Sequence, residues 1–231
     1  MFKYSFEVLE KTWDLFSSYW DDLLVISPNK KIGNFHESEE KFIINFIKKH
    51  NINPKILELG CGTGRCLKVL ENNDFNNLVG IDISSKMIIK AKNKLSNTFL
   101  LQHDFRERLP FQNNYFDFVL ITGNTLTSGG LIESNIVLKQ AFRVLKKDGF
   151  LIVGSFNAEF MKEDIVNYYK KFPKELRFKK FDNKNKTVYI GALFSHWVTE
   201  SELKNLIEKA GFKLVSIQKK GIGLIAIAKK L

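Results

Sequence analysis

Cysteine occurs only twice in 231 residues, as Cys61 and Cys66, and both fall in one turn-to-helix segment. Two thiols are too few for a disulfide framework or a zinc site, so the pair reads as small buried side chains and no metal is expected. Proline (four) and glycine (14) are sparse, and no fixed-period repeat is visible. Long apolar runs are missing as well: none approaches the roughly 18 residues of a membrane span. The stretch 1–24 carries Glu7, Glu10, Asp14 and Asp21 through its apolar positions, which excludes a signal-peptide core. These absences predict a soluble, cytoplasmic protein without a membrane partner. A hydrophobic content of 44% over this length predicts one large core with an elaboration rather than two domains.

What the chain has in excess is positive charge, +11 at neutral pH. A basic surface attracts phosphate. The basic residues are nearly all lysine, however, and are spread along a sequence equally heavy in Asn, Ile and Phe, so the charge alone adds little to a nucleic-acid reading.

Periodicity orders the chain. Apolar positions 6, 8, 9, 13, 16, 19, 20, 23 and 24 predict an amphipathic helix over 6–24, closed at Ser27-Pro28. A polar loop and a helix over 38–49 follow. Strands are predicted at 55–59, 77–82, 98–102, 116–122 and 150–155. Helices lie between them at 64–71, 84–95 and 131–145, the middle one capped by Ser84 and the last stopped at Lys146-Lys147-Asp148-Gly149. Alternation of this kind means βαβ units and a parallel sheet covered on both faces. After a helix over 200–210, strands at 213–218 and 223–229 are separated by four residues, too few for a parallel crossover. They form an antiparallel hairpin added to the sheet. Residues 157–196 break the rhythm with a helix at 159–172 and two extended segments, 174–181 and 187–194, joined by Asp182-Asn183-Lys184-Asn185. The expected organisation is an N-terminal helical lid (1–50), a core (51–156 and 197–231) and an insertion (157–196) covering one face of the sheet's active edge.

The stretch Lys55 to Leu67, KILELGCGTGRCL, excludes side chains three times in five residues. Glycines between a strand and a helix admit a close approach and aim free N–H groups at a ligand. A nucleotide P-loop needs Gly-Lys-Ser/Thr, which Arg65-Cys66-Leu67 does not supply. A dinucleotide fingerprint needs Gly or Ala where Arg65 stands, and its third glycine one place later than Gly64. A third candidate ligand is S-adenosylmethionine.

Here the chain resembles the class I S-adenosylmethionine-dependent methyltransferases. Glu58-Leu59-Gly60-Cys61-Gly62-Thr63-Gly64 matches the family's first motif, E/D-x-G-x-G-x-G. Gly80-Ile81-Asp82-Ile83-Ser84 and Gln102-His103-Asp104-Phe105 end the second and third strands with the acids that this family turns to ribose and adenine. Phe116 to Leu120 and Val144 to Phe150 resemble its fourth strand and its helix-to-fifth-strand junction. The resemblance covers residues 50–156 and 198–229 and implies a Rossmann-like α/β fold: a seven-stranded, mostly parallel sheet with helices on both faces and a C-terminal antiparallel hairpin. It also implies S-adenosylmethionine as cofactor. Gly60, Gly62 and Gly64 would pass under its amino acid part, Glu58 would hold the ammonium, Asp82 the ribose hydroxyls, Ile83 an adenine face and Asp104 the adenine amine. Cys61, Phe105, Thr122 and Asn124 complete the implied cofactor contacts.

For the acceptor the chain offers fewer signs. Thr122-Gly123-Asn124-Thr125-Leu126 resembles the G-N-S/T segment of small-molecule N-methyltransferases, and the D/N-P-P-Y/F motif of nucleic-acid amino-methylating enzymes is absent. The predicted function is methyl transfer to a small molecule by in-line displacement. His36 and His196, in the regions expected to form lids, are candidate bases. Tyr19 and Asn124 are candidate substrate contacts, with Trp20 beside Tyr19 on the same helix. The alternatives are an RNA-modifying methyltransferase using KKFPKELRFKKFDNKNK (170–186), where aromatics interleave with lysines, and a non-catalytic cofactor-binding partner protein. An edge strand with lysines outward, blocking sheet-to-sheet pairing, and phenylalanines inward is the stronger explanation of that segment.

Overall fold

A computed structural model describes residues 5–19, 30–50, 53–128, 131–170, 172, 174–176, 178–191 and 193–231. The elements, in chain order, are α1 (Phe6–Ser17), α2 (Lys30–His50), β1 (Lys55–Leu59), α3 (Arg65–Glu71), β2 (Asn77–Asp82), α4 (Ser85–Lys94), β3 (Thr98–Gln102), β4 (Phe116–Ile121), α5 (Leu131–Val144) and β5 (Leu145–Phe156). There follow α6 (Glu163–Lys170), β6 (Phe178–Asp182), β7 (Thr187–Ile190), β8 (Leu193–His196), α7 (Glu200–Lys209), β9 (Lys213–Lys220) and β10 (Gly223–Lys229). Among the described residues no helix is long and apolar enough to cross a membrane.

Seven strands form one sheet in the order β3-β2-β1-β4-β5-β10-β9. The β1, β2, β3, β4 and β5 pairings are parallel, and β10 runs antiparallel to both its neighbours. Strands buried on both faces read as nearly continuous apolar runs, and their alternate side chains feed two cores. Ile56, Phe118, Leu120 and Ile225 pack with α2, α3 and α4, whereas Leu57, Val119, Ile121 and Leu224 pack with α5 and α7. The strand order reverses between β1 and β4, so their carboxyl ends diverge into a crevice where ligands of open α/β sheets bind.

Two helices bring the N-terminal region to that crevice. On α2, Ile32, Phe35, His36, Glu39, Ile43 and Ile47 are all buried, a stripe at helical spacing. The helix is a layer of the sheet's own core, with its first turns reaching the crevice. It begins eight residues before the expected start at Ser38. Helix α1 is docked by Asp14, whose carboxylate accepts from the Ser84 and Ser85 hydroxyls and from the Lys86 N–H at 3.1 Å, at the start of α4. That carboxylate stands where the α4 macrodipole favours negative charge. α1 ends at Ser17, followed by a turn through Ser18 and Tyr19. The rest of the expected 6–24 helix, with Trp20, lies outside the described residues.

Two further expectations are corrected. Lys146–Gly149 is no helix stop: α5 ends at Val144 and these residues belong to β5, whose register on β4 shifts between Phe116 and Phe118 around Asp148 at φ 64°. The insertion holds three strands, not two. The expected segment 187–194 folds back at Gly191 (φ 57°) into β7 and β8, giving an antiparallel sheet β6-β7-β8. The predicted helix at 159–172 is a short 3-10 turn and the eight-residue α6.

Candidate active site

The glycine loop leaves β1 with Gly60, Gly62 and Gly64 at φ 75°, 53° and 80°, a left-handed region that side chains rarely enter. Gly60 and Cys61 donate their N–H groups to the Ile81 carbonyl at 2.8 and 2.9 Å, which ties the loop to the end of β2. A methyl group at Gly60 would lie 2.3 Å from Thr125 Cγ2. At Gly64 the neighbour is Leu95 of the α4 terminus, 2.7 Å away, so the third glycine serves helix packing and does not line the crevice.

Two cavities open on either side of Gly60. One, about 70 Å³, is lined by Gly62, Asp82, Ile83, Met87, Asp104, Phe105, Arg106 and Glu133. Asp82 is buried, accepting from the Gly62 N–H at 2.8 Å and the Ser84 N–H at 2.9 Å. Burial pushes its carboxyl up to about 6. Each oxygen keeps one lone pair, so the pair of ribose hydroxyls expected there can be accommodated. Asp104 differs. Arg106 donates its backbone N–H and Nε to Oδ1, both at 2.9 Å, and Nε and Nη2 to Oδ2 at 3.0 and 2.6 Å, while Nη1 reaches Glu133 at 3.3 Å. Both Asp104 oxygens are thereby taken, and the adenine amine expected there meets a carboxylate already committed to Arg106.

The second cavity, about 100 Å³, shares Trp13, Gly60, Thr125, Ser128 and Leu193 with the first. Here Glu58, at the end of β1, is 1% exposed. Its Oε1 accepts from the Thr122 hydroxyl at 2.7 Å, and its Oε2 is buried with no hydrogen-bond partner. Burial pushes the carboxyl up to about 8, against the opposing Thr122 hydrogen bond and the Arg65 charge. An unpartnered buried carboxylate oxygen beside a side-chain-free loop fits a ligand that brings an ammonium. Burial also holds the Cys61 and Cys66 thiols well above their usual range, so both stay protonated.

The site brings together most of the residues that the sequence predicts, and separates a few. His36 lines the second cavity. His196 does not: residues alternate across β8, so Ser195 faces the cavity while His196 turns to the opposite face, where Nδ1 meets Thr187 Oγ1 at 2.9 Å. Tyr19 is half-buried against the core, and the α1 side chains in the cavity are Trp13 and Phe16. Asn124, at φ 71°, spends its side chain on structure. Oδ1 accepts from Ser155 Oγ (2.7 Å), the Phe156 N–H (3.0 Å) and Thr127 Oγ1 (3.1 Å), and Nδ2 donates to Ser195 Oγ (3.1 Å) and the His196 carbonyl (3.3 Å). Residues not anticipated are Arg65, paired with Glu39 and Glu40, Arg106, and the aromatic walls from Phe156, Tyr169, Phe172 and Phe194. The i,i+3 spacing of His36 and Glu39 and the Asp-x-Arg of 104–106 were the available signals.

A parallel sheet with this strand order, a glycine loop after β1 and acids ending β2 and following β3 define a class of nucleoside-cofactor enzyme. Comparison with known proteins names it. Residues 57–153 match the methyltransferase domain family. A demethylmenaquinone methyltransferase of Lactobacillus johnsonii is 30% identical over 183 residues, covering 74% of this chain and 72% of that protein. A tRNA (guanine-N(7)-)-methyltransferase of Helicobacter pylori is 26% identical over 254 residues, covering 97% of this chain and 63% of that protein. The crystal structure of PH0226 from Pyrococcus horikoshii superimposes with a TM-score of 0.67 at 25% identity, covering 84% of this chain and 89% of that one. The chain spans 42% and 63% of the length of two curated relatives that it matches. It belongs to the class I S-adenosylmethionine-dependent methyltransferases, with S-adenosylmethionine as its cofactor.

Proposed function

We propose that this methyltransferase acts on a small molecule held in the cavity between Gly60 and the insertion, beneath α1, the start of α2 and β8. The carrying observation is the junction of two cavities at Gly60, Thr125 and Leu193. One has the acids for a nucleoside, and the other is walled by side chains from α1, α2, β5, α6 and β8. In this reading Asp82 accepts the ribose hydroxyls, Ile83 and Phe105 flank the adenine, Gly60, Cys61 and Gly62 carry the amino acid part, and Glu58 holds the ammonium with Thr122 behind it. Asn124 acts as the clip that holds β8 over the second cavity, and 1–50 and 157–196 together enclose the acceptor.

S-adenosylmethionine, when bound, supplies an electrophilic methyl group on a sulfonium. The chain's share of the chemistry is alignment, placing the acceptor atom about 3 Å from that carbon on the side away from sulfur, and exclusion of water by the aromatic walls.

A second reading, an RNA acceptor, is favoured by the likeness to the Helicobacter tRNA enzyme across nearly the whole chain and by exposed Lys179 and Lys180 on β6. The discriminating experiment supplies purified protein with radiolabelled S-adenosylmethionine and a cell extract divided into a small-molecule filtrate and an RNA fraction. Label in the filtrate supports the small-molecule reading. Label in RNA alone, reduced by charge reversal at Lys179 and Lys180 and by salt, replaces it. Asp82→Ala is expected to weaken S-adenosylhomocysteine binding by ~1–3 kcal/mol; unchanged affinity in the folded variant removes the ribose assignment.

A further inference from the structure

The second cavity has a polar apparatus that cofactor binding does not use. His36 of α2 lines it, with its ring 6.1 Å from Phe156 and 3.3 Å from the position a Gly123 side chain would occupy. Its Nδ1 is buried and forms no hydrogen bond among the described residues, and Glu39 Oε2 lies 3.6 Å from it. Glu39, one turn on, is fully buried. Its Oε1 accepts from the Gly123 N–H at 3.1 Å, and its Oε2 is 3.5 Å from Arg65 Nη2. The absence of a side chain at Gly154 makes room for that carboxylate, since a methyl there would fall 1.5 Å from Oε1. A buried carboxylate anchored by a backbone N–H and lying 3.6 Å from an imidazole nitrogen favours, by its charge rather than by a hydrogen bond, the tautomer with the proton on Nδ1, which leaves Nε2 as an acceptor.

Around this pair the walls are aromatic. Trp13, Phe16, Phe156, Tyr169, Phe172 and Phe194 line the chamber, and Phe16 meets Phe172 edge to face at 6.3 Å. Aromatic walls favour flat rings through offset and edge contacts. Among the described residues around this cavity no carboxylate is left over for an alkylammonium: Glu58 is assigned to the cofactor, and Glu39 is engaged by Gly123 and Arg65. A general base matters most for a nucleophile that is weak until it loses a proton.

We propose that the acceptor is a small molecule with a flat aromatic ring bearing a hydroxyl group, and that His36, positioned by Glu39, takes the hydroxyl proton as the oxygen attacks. The oxygen lone pair forms the bond to the methyl carbon, the electron pair of the breaking carbon–sulfur bond stays on sulfur as a neutral thioether, and the proton moves to His36 Nε2 and then to water. Glu39 stabilises the imidazolium formed in between. Burial, and then the Arg65 charge, hold the His36 pKa below the ordinary value, with Glu39 opposing. The base is therefore neutral at pH 7, with Glu39 and Glu40 of α2, Arg65 of α3 and Glu58 of β1 as the charged and titratable groups around it.

This inference rests on the small-molecule reading, and the test separates the two. Purified protein and radiolabelled S-adenosylmethionine are given naphthols and dihydroxybenzenes, with alkylamines of similar size alongside, and S-adenosylhomocysteine affinity is measured on every variant. Expected are turnover of the hydroxyarenes and a fall in kcat of about 10²- to 10⁴-fold in His36→Asn at pH 7, with S-adenosylhomocysteine affinity unchanged. The deficit should shrink as pH approaches the acceptor's own pKa. Glu39→Gln should move the acidic limb of the wild-type profile to lower pH, and Glu39→Asp should restore part of the rate. Should the His36 variant fail to fold, the wild-type profile decides, with a single limb below pH 6.5 expected and a flat profile contrary. Turnover of alkylamines but no hydroxyarene, or full kcat in a folded His36→Asn, overturns the proposal while leaving the cofactor site standing. Failure of the wild type to bind S-adenosylhomocysteine, or label in RNA alone, overturns the underlying reading instead.

Discussion

Thr122, following β4, donates its hydroxyl to Glu58 Oε1 at 2.7 Å across the crevice from β1. The bond orients a carboxyl whose second oxygen is buried without a partner and whose pKa is pushed up to about 8. At pH 7 the free enzyme therefore holds Glu58 protonated. A ligand ammonium at Oε2 favours the ionised form, so binding expels the proton. S-adenosylhomocysteine affinity is expected to rise by about tenfold per pH unit below pH 8 and to level off above it. Calorimetry at pH 7 in two buffers of different ionisation heat should show release of close to one proton. Equal heats in both buffers would refute the assignment, and Glu58→Gln should abolish the slope.

The same titration has a consequence for the unliganded fold. The pKa values of Glu58 and Asp82 are raised above those of the unfolded chain, so the native state holds protons that the unfolded state gives up. Their contribution is greatest below the ordinary carboxylate range and is lost as pH rises through about 6 for Asp82 and about 8 for Glu58. Melting curves between pH 6 and 8 should show a falling Tm that flattens in Glu58→Gln. A slope unchanged by that substitution would place the pH sensitivity elsewhere.

Gly60→Ala combines two costs. A left-handed backbone at φ 75° costs an L-residue about 1–2 kcal/mol, and the new methyl meets Thr125 Cγ2. Adding Thr125→Ser removes the contact but not the strain, so the double variant should recover part of the lost Tm and stop short of wild type. Full recovery would show that the clash alone mattered.

Legibility followed the range of the interactions. β1, β2, β3 and β10 have the predicted bounds because each announces itself as a short apolar run between polar or glycine residues, with β1 followed by Gly60 and β2 ending at Asp82. The first turns of α2 read as loop, since Gly33 and Asn34 weaken the helix and its signal, Ile32 and Phe35, has meaning only against β10: a methyl at Gly223 would lie 2.0 Å from Phe35. The three-stranded insertion was hidden by a one-residue signal, Gly191. In the site, the cofactor loop and the acids at Asp82 and Asp104 were visible as a motif. Glu39 with Gly123, and Arg106 with Glu133, were not, because each joins residues at least 27 positions apart.

Asn124 was read as a ligand or a turn residue, and its five side-chain hydrogen bonds join β4, β5 and β8. Asn124→Ala takes the side-chain acceptor from the buried Phe156 N–H, at about 1–3 kcal/mol for a group left unsatisfied, while the His196 carbonyl keeps the Thr127 hydroxyl at 2.8 Å. Limited proteolysis should then cut the variant first within 178–196, with the seven-stranded core persisting as a fragment. Cleavage unchanged in rate and position would mean that β8 is held by packing alone.

Asp104 separates two roles by two readouts. If its carboxylate served chiefly the adenine amine, Asp104→Asn would weaken S-adenosylhomocysteine binding with little effect on Tm. The geometry points the other way, because both oxygens bind Arg106, which also reaches buried Glu133. Removing one partner from a buried ion network leaves an uncompensated charge at about 3–5 kcal/mol. Asp104→Asn, which keeps the shape and loses the charge, should lower Tm by several degrees and change cofactor affinity less. Arg106→Met should lower Tm further, because two buried carboxylates then lose their cation. Replacing Glu133 as well, in Arg106→Met with Glu133→Gln, removes one of those charges and should recover part of the loss. A fall in affinity that exceeds the fall in stability for Asp104→Asn would return this carboxylate to the adenine.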